Sequence, residues 1–337
     1  MDLFAVLPAI LLLWNCGYSD FNQVYLSKDN SRTIKGFCSI LIVIHHIAQR
    51  TTGGIIFPAF GYIGFLVVGV FFFYSGYGVM VQYELKGRRY LESFFGRRVW
   101  KVVRPYLVAN AVYLLLEYIL GRRIEWNVIL QNVVSGKIVP FSWFVISIIV
   151  LYCIFWLSCI LTRRKGEIAL IIVGITVYCF ICMKMGLPDQ WYVSAYSFVL
   201  GCTYCHIKEK AEKYFSTGYW VKLLLMLALA LIFVIMGKII PQEMFQMIFC
   251  NVGVMSFCMF TIGVTMRFTF HNRILTFLGE NNYEIYLYQG IFVSYIVIGN
   301  NLVYAASTVC LLLAVVYIMR MINVHIFPGN EKGKRQV

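Results

Sequence analysis

Residues 141–162 read FSWFVISIIVLYCIFWLSCILT and contain no charged side chain. A helix rises 1.5 Å per residue, so this segment would be about 33 Å long, enough to cross the roughly 30 Å hydrocarbon core of a bilayer. It lacks the apolar–polar alternation of a barrel strand, and an open strand edge finds no hydrogen-bond partners in lipid. The segment therefore predicts a transmembrane helix.

Similar apolar blocks recur along the chain. We predict spans at 3–17, 34–49, 61–83, 105–120, 141–162, 167–185, 190–206, 220–238, 244–266, 284–299 and 302–319. Hydrophobic residues make up 61% of the chain and charged residues 13%, whereas soluble proteins usually carry about a quarter charged residues. The predicted fold class is all-α, a polytopic transmembrane helix bundle of about 10–11 spans.

The block at 3–17 lacks the basic start and the small-residue cleavage site of a signal peptide, so we interpret it as an uncleaved extra helix. The chain then divides into an N-terminal helix and cytoplasmic loop at 1–32, a transmembrane domain at 33–320 and a basic cytoplasmic tail at 321–337. No linker or soluble appendage interrupts this arrangement.

The net charge of +14 is distributed unevenly between alternate loops. One set, around 28–35, 86–104, 163–165, 208–222, 267–273 and 320–335, holds 23 of the 29 Lys and Arg residues. Cytoplasmic loops carry such an excess, so this set and the C-terminus are predicted to be cytoplasmic, with the N-terminus outside if 3–17 spans. The charge is explained by topology and does not indicate a nucleic-acid partner.

The cysteines do not predict a metal site, although two CxxC pairs have a zinc-like spacing. Cys179 and Cys182 lie near the outer end of one predicted span, and Cys202 and Cys205 near the inner end of the next. Ligands of one zinc ion cannot lie at opposite membrane faces. The run from Cys202 to His206 also matches the haem-attachment pattern, but on the predicted cytoplasmic side, where haem is generally not attached.

Two adjacent histidines, His45 and His46, lie within the second predicted span. Polar groups in a span are costly, so they indicate function. Lys35 and His46 are eleven residues apart, which places them within roughly 20° on a helix and about 16 Å apart along its axis. We therefore expect both to face one cleft, where a buried, neutral imidazole could act as a general base. The alternative is a histidine that only hydrogen-bonds a neighbouring helix.

Two further elements follow along the chain. Ser75-Gly76, within an aromatic run, allows close helix packing and offers one hydroxyl, although packing alone would also explain it. Arg97, Lys101 and Arg104 recur at helical spacing and predict a shared basic face suited to phosphate. An ordinary positive-inside loop would have the same charge.

Together these residues resemble the acyltransferase-3 family of integral membrane acyltransferases. Five landmarks between about 33 and 290 match in order: Lys35 followed by ten residues and His46; Phe71-Phe72-x-x-Ser75-Gly76-Tyr77; Arg97-Arg98 through Arg104-Pro105-Tyr106; Ser142-Trp143-Phe144; and Leu278-Gly279-x-x-x-Tyr283-x-Ile285-Tyr286-Leu287. The basic partner is Lys35 where the family more often has Arg. Gln289 stands where many relatives have a histidine, and the chain carries no extracytoplasmic hydrolase-like domain.

The resemblance implies transfer of an acyl group, expected to be acetyl, from cytosolic acyl-CoA to a hydroxyl of a cell-surface carbohydrate or related acceptor. His46 would be catalytic with Lys35 as its basic partner. The donor would be held by a set of four basic side chains and one hydroxyl: Arg97, Arg98, Lys101, Arg104 and Ser75. Secondary candidates are His45, Glu117, Tyr283 and Glu284, of which the two glutamates could orient an imidazole.

No permanently bound cofactor and no metal are expected; acyl-CoA acts as co-substrate. Membrane lipid and an extracytoplasmic glycan are the other expected partners, a homo-oligomer is left open, and the resemblance favours a bacterial cytoplasmic membrane. Intramembrane His, Lys and Glu also mark transport paths, so a transporter or flippase of a polar solute or glycan intermediate is the main alternative. A non-catalytic membrane partner or sensor is a third.

Overall fold

The structure, a computed structural model, describes residues 1–162 and 166–326, with side chains as far as residue 321. The described part is mostly helical, with very little strand. Its helices are α1 (Asp2–Leu13), α2 (Lys28–Ala48), α3 (Gly64–Lys86), α4 (Arg88–Glu92), α5 (Trp100–Ile119), α6 (Ile129–Val134), α7 (Trp143–Leu161), α8 (Glu167–Lys184), α9 (Tyr196–Ser216), α10 (Tyr219–Ile239), α11 (Glu243–Thr265), α12 (Arg273–Glu280), α13 (Asn282–Tyr295) and α14 (Asn301–Ile326).

Short elements connect these helices. A π-helical turn, Phe95–Val99, leads into α5, and 3-10 turns occupy Phe57–Tyr62, Trp126–Val128 and Asp189–Trp191. Two three-residue strands, β1 (Cys16–Tyr18) and β2 (Phe268–Phe270), pair antiparallel with Cys16 opposite Phe270. This ribbon joins the N-terminal segment to the connection between α11 and α12.

The predicted transmembrane helix bundle is confirmed. In the described part, seven helical segments are long and apolar enough to cross a membrane: Gly64–Lys86, Phe95–Ile119, Trp143–Leu161, Glu167–Lys184, Tyr219–Ile239, Glu243–Thr265 and Asn301–Met321. Helices α2 and α9 have 21 residues each, about 31 Å of length. Each carries its charged residues at one end, α2 in its first turns and α9 in its last.

The prediction of a helix through 3–17 is too long. Helix α1 ends at Leu13 after 12 residues, about 18 Å, and Asn15 adopts a left-handed φ of 61° before β1 begins. The Asp2 carboxylate accepts hydrogen bonds from Ile55 N at 2.9 Å and from the next two backbone nitrogens. At the other end, Asn15 Nδ2 donates to His271 O at 2.8 Å. The helix and the extended chain after it therefore connect the loop after α2 with the ribbon after α11. The backbone of Cys16–Tyr18 makes its hydrogen bonds with β2 and not within a longer helix.

Two other predicted spans differ from the structure. The span predicted at 190–206 begins as the 3-10 turn Asp189–Trp191, and α9 itself starts at Tyr196. The span predicted at 284–299 is α13, which has 14 residues and is about 21 Å long. Ile296 is already extended, so apolar composition continues beyond the helix there.

Loops of the two charge classes lie at opposite ends of the bundle. Contacts at one end join Ser19 with Arg267, Tyr25 with Glu212, and Arg320 with Glu280. Contacts at the other end join Asp2 with Phe57, Asp189 with Lys238, and Asn301 with Thr52. For the loops that these contacts join, the arrangement agrees with the alternation predicted from charge, and we refer to the two ends as the basic end and the opposite end.

Two close helix crossings position the central helices. A Cβ on Gly76 of α3 would collide with the backbone of Phe198 in α9, and one on Gly201 would collide with Phe73. The crossing of α2 with α12 is equally tight at Gly36. Small residues let membrane helices approach at backbone distance, where dispersion contacts hold them together. These crossings fix α3 against α9 and α2 against α12, and α2 and α3 carry Lys35 and Ser75.

Candidate functional site

A cavity of about 390 Å³ opens between α2, α3, the start of α5, α7 and α13. It brings together five residues that the sequence selected: Lys35, Ser75, Arg98, Lys101 and Tyr283. Three of these side chains are cationic, and the described lining contains no acidic residue. An anionic ligand with phosphate groups suits such a lining, because charge-assisted hydrogen bonds to phosphate are the stronger ones.

Lys35 is positioned by the way α2 begins and packs. The Ser27 hydroxyl caps the helix by accepting from Asn30 N at 3.2 Å, and Gly36 lies against the backbone of α12. The Lys35 ammonium lies 5.4 Å from the centre of the Tyr74 ring. A cation over an aromatic face is stabilised by the ring quadrupole. Lys35 is thus held at the cavity wall with its charge directed to an apolar, aromatic surface.

Arg98 enters the cavity because of the π-helical turn at Phe95–Val99. Its Nε donates to the Tyr90 hydroxyl at 2.8 Å and its Nη2 to Gly78 O at 3.3 Å. Burial raises the pKa of Tyr90, with the Arg98 guanidinium opposing the shift, so this phenol is protonated at neutral pH. These contacts leave part of the guanidinium fork for a ligand.

Of the three residues predicted to share a basic face, Arg97, Lys101 and Arg104, the cavity lining includes Lys101 alone. Hydrogen bonds from i to i+5 widen a π-turn, so the register ahead of α5 departs from that of a regular helix. Lys101 lines the cavity together with Arg98, whereas Arg97 is exposed. Arg104 is half-buried on α5 and is not among the residues that line the cavity.

Tyr283 and Ser75 supply the hydroxyls of the cavity. The Tyr283 hydroxyl donates to Val102 O at 2.8 Å, which ties α13 to α5. Ser75 lies half-buried on α3, one residue before the Gly76 crossing. Ser75 was expected to bind the donor and Tyr283 was a secondary candidate, and the structure brings both to the same cavity as the three cations.

His46 lies on the same helix as Lys35 but is not among the described residues that line the cavity. Its ring is 8% exposed and stacks on Phe141 with 3.8 Å between ring centres. Its Nδ1 lies 3.3 Å from the Gln49 amide oxygen, near the loop at the opposite end. Ile42, one helical turn before His46, does line the cavity. Lys35 and His46 were expected to face one cleft, but Lys35 lines the cavity and His46 does not.

Phe141 is the residue that covers His46, and sequence reasoning missed it. It has a left-handed φ of 66°, which costs free energy in a bulky residue, and residues strained in this way cluster at functional sites. Its carbonyl accepts a hydrogen bond from the hydroxyl of Tyr286, which lines the cavity. The preceding Pro140 marks a turn in the sequence, but the positive φ depends on tertiary packing.

Of the secondary candidates, His45 lies beside His46, with 4.8 Å between the two ring centres, whereas Glu117 has its contacts elsewhere. His45 Nδ1 lies 3.0 Å from Phe60 O, and its ring packs against Gly64. Glu117 accepts from Arg122 at 3.1 Å and from the Tyr295 hydroxyl, so its contacts lie at the opposite end of α5. Glu284 lies half-buried in the first turn of α13 beside Tyr283. The hydrogen-bond partner recorded for the His46 ring is an amide, not a carboxylate.

Gln289 is a further polar residue in the bundle. It is 0% exposed, and neither its amide nitrogen nor its amide oxygen has a hydrogen-bond partner among the described residues. Burying an amide without partners is costly, so such a group in a native protein calls for an explanation. The sequence offered a signal here, since Gln289 stands where many relatives of the resembled family carry a histidine.

Comparison with protein families identifies the family of the chain. A family model described as an acyltransferase domain, that of acyltransferase-3, matches residues 30–321, nearly the whole chain. The chain therefore belongs to the acyltransferase-3 family and is a membrane acyltransferase. No curated protein and no solved structure is significantly similar to it.

Proposed function

We propose that this chain moves an acyl group, acetyl in the simplest case, from cytosolic acyl-CoA to a hydroxyl of a carbohydrate or related acceptor outside the membrane. One observation carries the proposal. A cavity with three cations lies near the basic end of α2, and a buried imidazole lies farther along the same helix, toward the opposite end. This order matches a donor that arrives from one side of a membrane and an acceptor that arrives from the other.

In the proposed reaction, Lys35, Arg98 and Lys101 bind the phosphates of acyl-CoA. The thioester extends along the cavity past Ile42, and Phe141 moves aside so that the acyl carbon reaches His46. The acceptor hydroxyl oxygen then attacks the carbonyl carbon, the carbon–sulfur bond breaks, and the hydroxyl proton passes through the imidazole to the departing CoA thiolate. A covalent acyl-imidazole intermediate would give the same products in two steps.

The proposed location follows from family and charge. The basic end would face the cytoplasm of a bacterial cell, and the C-terminus would lie on that side. The tail beyond residue 326 lies outside the described residues. No resident cofactor takes part in the proposed chemistry.

Purified protein in lipid nanodiscs tests this proposal without knowledge of the acceptor. Wild-type protein should bind acetyl-CoA and hydrolyse its thioester slowly, while the variant His46→Ala should bind normally and lose hydrolysis. Failure of folded wild-type protein to bind any acyl-CoA would instead support the transporter alternative. Hydrolysis retained by His46→Ala would remove the imidazole from the mechanism.

Arg98 and Arg97 provide a matched pair for the donor site. Arg98→Ala should weaken acetyl-CoA binding by about 10- to 100-fold, since a hydrogen bond to a charged group contributes about 1.5–3 kcal/mol. Arg97→Ala removes the same charge from an exposed position outside the cavity and should change affinity by less than about threefold. Equal losses in both variants would indicate general attraction to a basic surface and not a specific donor site.

A further inference from the structure

Three helices meet in a cluster of metal-ligating side chains at the basic end, away from the cavity. Glu84 lies in the last turns of α3, Glu167 is the first residue of α8, and His206 lies on α9. One ligand atom from each side chain lies within 4.8 Å of the other two. His206 Nε2 is 3.9 Å from Glu84 Oε1. We call Glu84, Glu167 and His206 the three-helix cluster.

The second observation is the state of Glu167. This residue is only 7% exposed, and its Oε2 has no hydrogen-bond partner in the part of the chain that the structure describes. A buried carboxylate is costly unless it is paired with a cation or bound to a metal. The other two members of the cluster are a second carboxylate, which adds negative charge, and an imidazole, which is a ligand of transition metals.

We propose that the three-helix cluster binds one divalent transition-metal cation, Zn²⁺ or Mn²⁺. Two carboxylates and a neutral imidazole supply two negative charges, which a divalent ion balances. Imidazole favours zinc and related metals, and carboxylates favour manganese as well, so the ligand set selects these ions over magnesium and calcium.

The geometry requires only a small adjustment. Ligand atoms of a tetrahedral zinc site are about 3.4 Å apart, given bonds of about 2.0–2.2 Å. The side chains of Glu84 and His206 are 47% and 39% exposed and can rotate toward Glu167. The remaining coordination positions would face water.

The bound ion would clamp the basic ends of α3, α8 and α9. Glu84 lies nine residues, about 13 Å, beyond Ser75 on α3. His206 follows the Gly201 crossing by five residues on α9. The metal would thus fix the far end of the crossing that positions Ser75. No member of the cluster lines the cavity, so the proposal is independent of the acyl-transfer proposal.

Metal titration of the full chain in nanodiscs, after removal of bound metal with EDTA, tests the proposal. Wild-type protein should bind about one equivalent of Zn²⁺ or Mn²⁺, and its unfolding temperature should rise. Glu84→Gln and His206→Ala should weaken binding at least about tenfold, since even changes outside the ligand shell cost that much at metal sites. The exposed residues Glu92 and His271 provide the controls Glu92→Gln and His271→Ala, which should bind like wild type.

Co²⁺ as a spectroscopic probe separates this site from binding by the eleven cysteines. Coordination by Glu and His gives weak visible bands, whereas thiolate ligands add strong near-ultraviolet charge-transfer bands. Thiolate bands in wild-type protein, or binding that survives in both cluster variants, would overturn the proposal. So would the absence of binding.

Glu167→Gln provides a second readout. Because it removes the buried charge, the metal-free variant should unfold at a higher temperature than metal-free wild type, and the metal-induced increase should disappear. Arg163, Arg164 and Lys165 precede Glu167 in the sequence and are the competing source of positive charge. If they neutralise Glu167, the metal will have no effect and Glu167→Gln will lower the unfolding temperature, which would contradict the proposal.

Discussion

The crossing of α3 and α9 offers the sharpest test of how packing positions the donor cavity. A Cβ on Gly76 would meet the backbone of α9, including the carbonyl carbon of Phe198 at 3.0 Å and Cys202 N at 3.2 Å. These atoms are backbone and cannot rotate away, so Gly76→Ala must separate the two helices. Gly78, two residues later on the same helix, has nothing within 4 Å of an added Cβ.

Comparison of Gly76→Ala with Gly78→Ala isolates the clash. Both variants gain the same helix propensity, about 1 kcal/mol for Gly→Ala, so this contribution cancels between them. Overpacking costs about 1–3 kcal/mol. The free energy of unfolding of Gly76→Ala should therefore be about 1–3 kcal/mol lower than that of Gly78→Ala, which is a factor of about 5–150 in the folding equilibrium. Because Ser75 moves with Gly76, acetyl-CoA binding should weaken as well.

Thermal and detergent-induced unfolding of both variants in one lipid system measures the difference. Gly78→Ala should match or exceed wild type in unfolding temperature and should bind acetyl-CoA normally. Equal stability of the two variants would show that α3 and α9 do not pack at backbone distance, and the described crossing would then be wrong.

Three further perturbations have definite expected results. Gln289→Met should raise the free energy of unfolding by about 1–3 kcal/mol, measured by thermal unfolding, since it removes a buried amide without partners. It should also impair acyl transfer if the amide contacts substrate. A destabilised variant would mean that Gln289 is paired. Phe141→Ala should speed carbethoxylation of His46, measured by mass spectrometry, and an unchanged rate would mean that Phe141 does not cover the imidazole. Asp2→Ala should increase amide hydrogen exchange at residues 55–57. Backbone N–H groups, that of Ile55 foremost, lower the pKa of Asp2, so protection of these amides in the wild type should be full above about pH 4 and lost as pH falls through the lowered pKa. Equal exchange in both proteins at pH 7 would contradict this anchor.

Most of the bundle could be predicted from the sequence because lipid permits few alternatives. An uncharged run such as 141–162 must satisfy its backbone internally, and α7 occupies Trp143–Leu161 as expected. Predictions failed where another segment supplied the hydrogen bonds. Residues 16–18 are extended and pair with β2, and no local pattern in the sequence indicates that distant partner.

The candidate site, too, could be predicted from the sequence only in part. Helical spacing placed Lys35 and His46 on one stripe of α2. Helical spacing also selected Lys101, and the family resemblance selected Ser75, Arg98 and Tyr283; all four line the cavity with Lys35. The π-turn that separates Arg97 from Arg98 depends on how the chain enters α5.

The sequence by itself determined the class of protein, the alternation of its loops and the residue types available for chemistry, because these follow from local hydropathy, charge and periodicity. Only the tertiary structure decided that Phe141 lies over His46, that Gln289 is buried without a partner, and that Glu84, Glu167 and His206 converge. Each of these depends on contacts between helices that are distant in sequence. The helices are positioned by packing at backbone distance at residues such as Gly76 and Gly201. The spacing of residues along one helix does not predict which helix packs there.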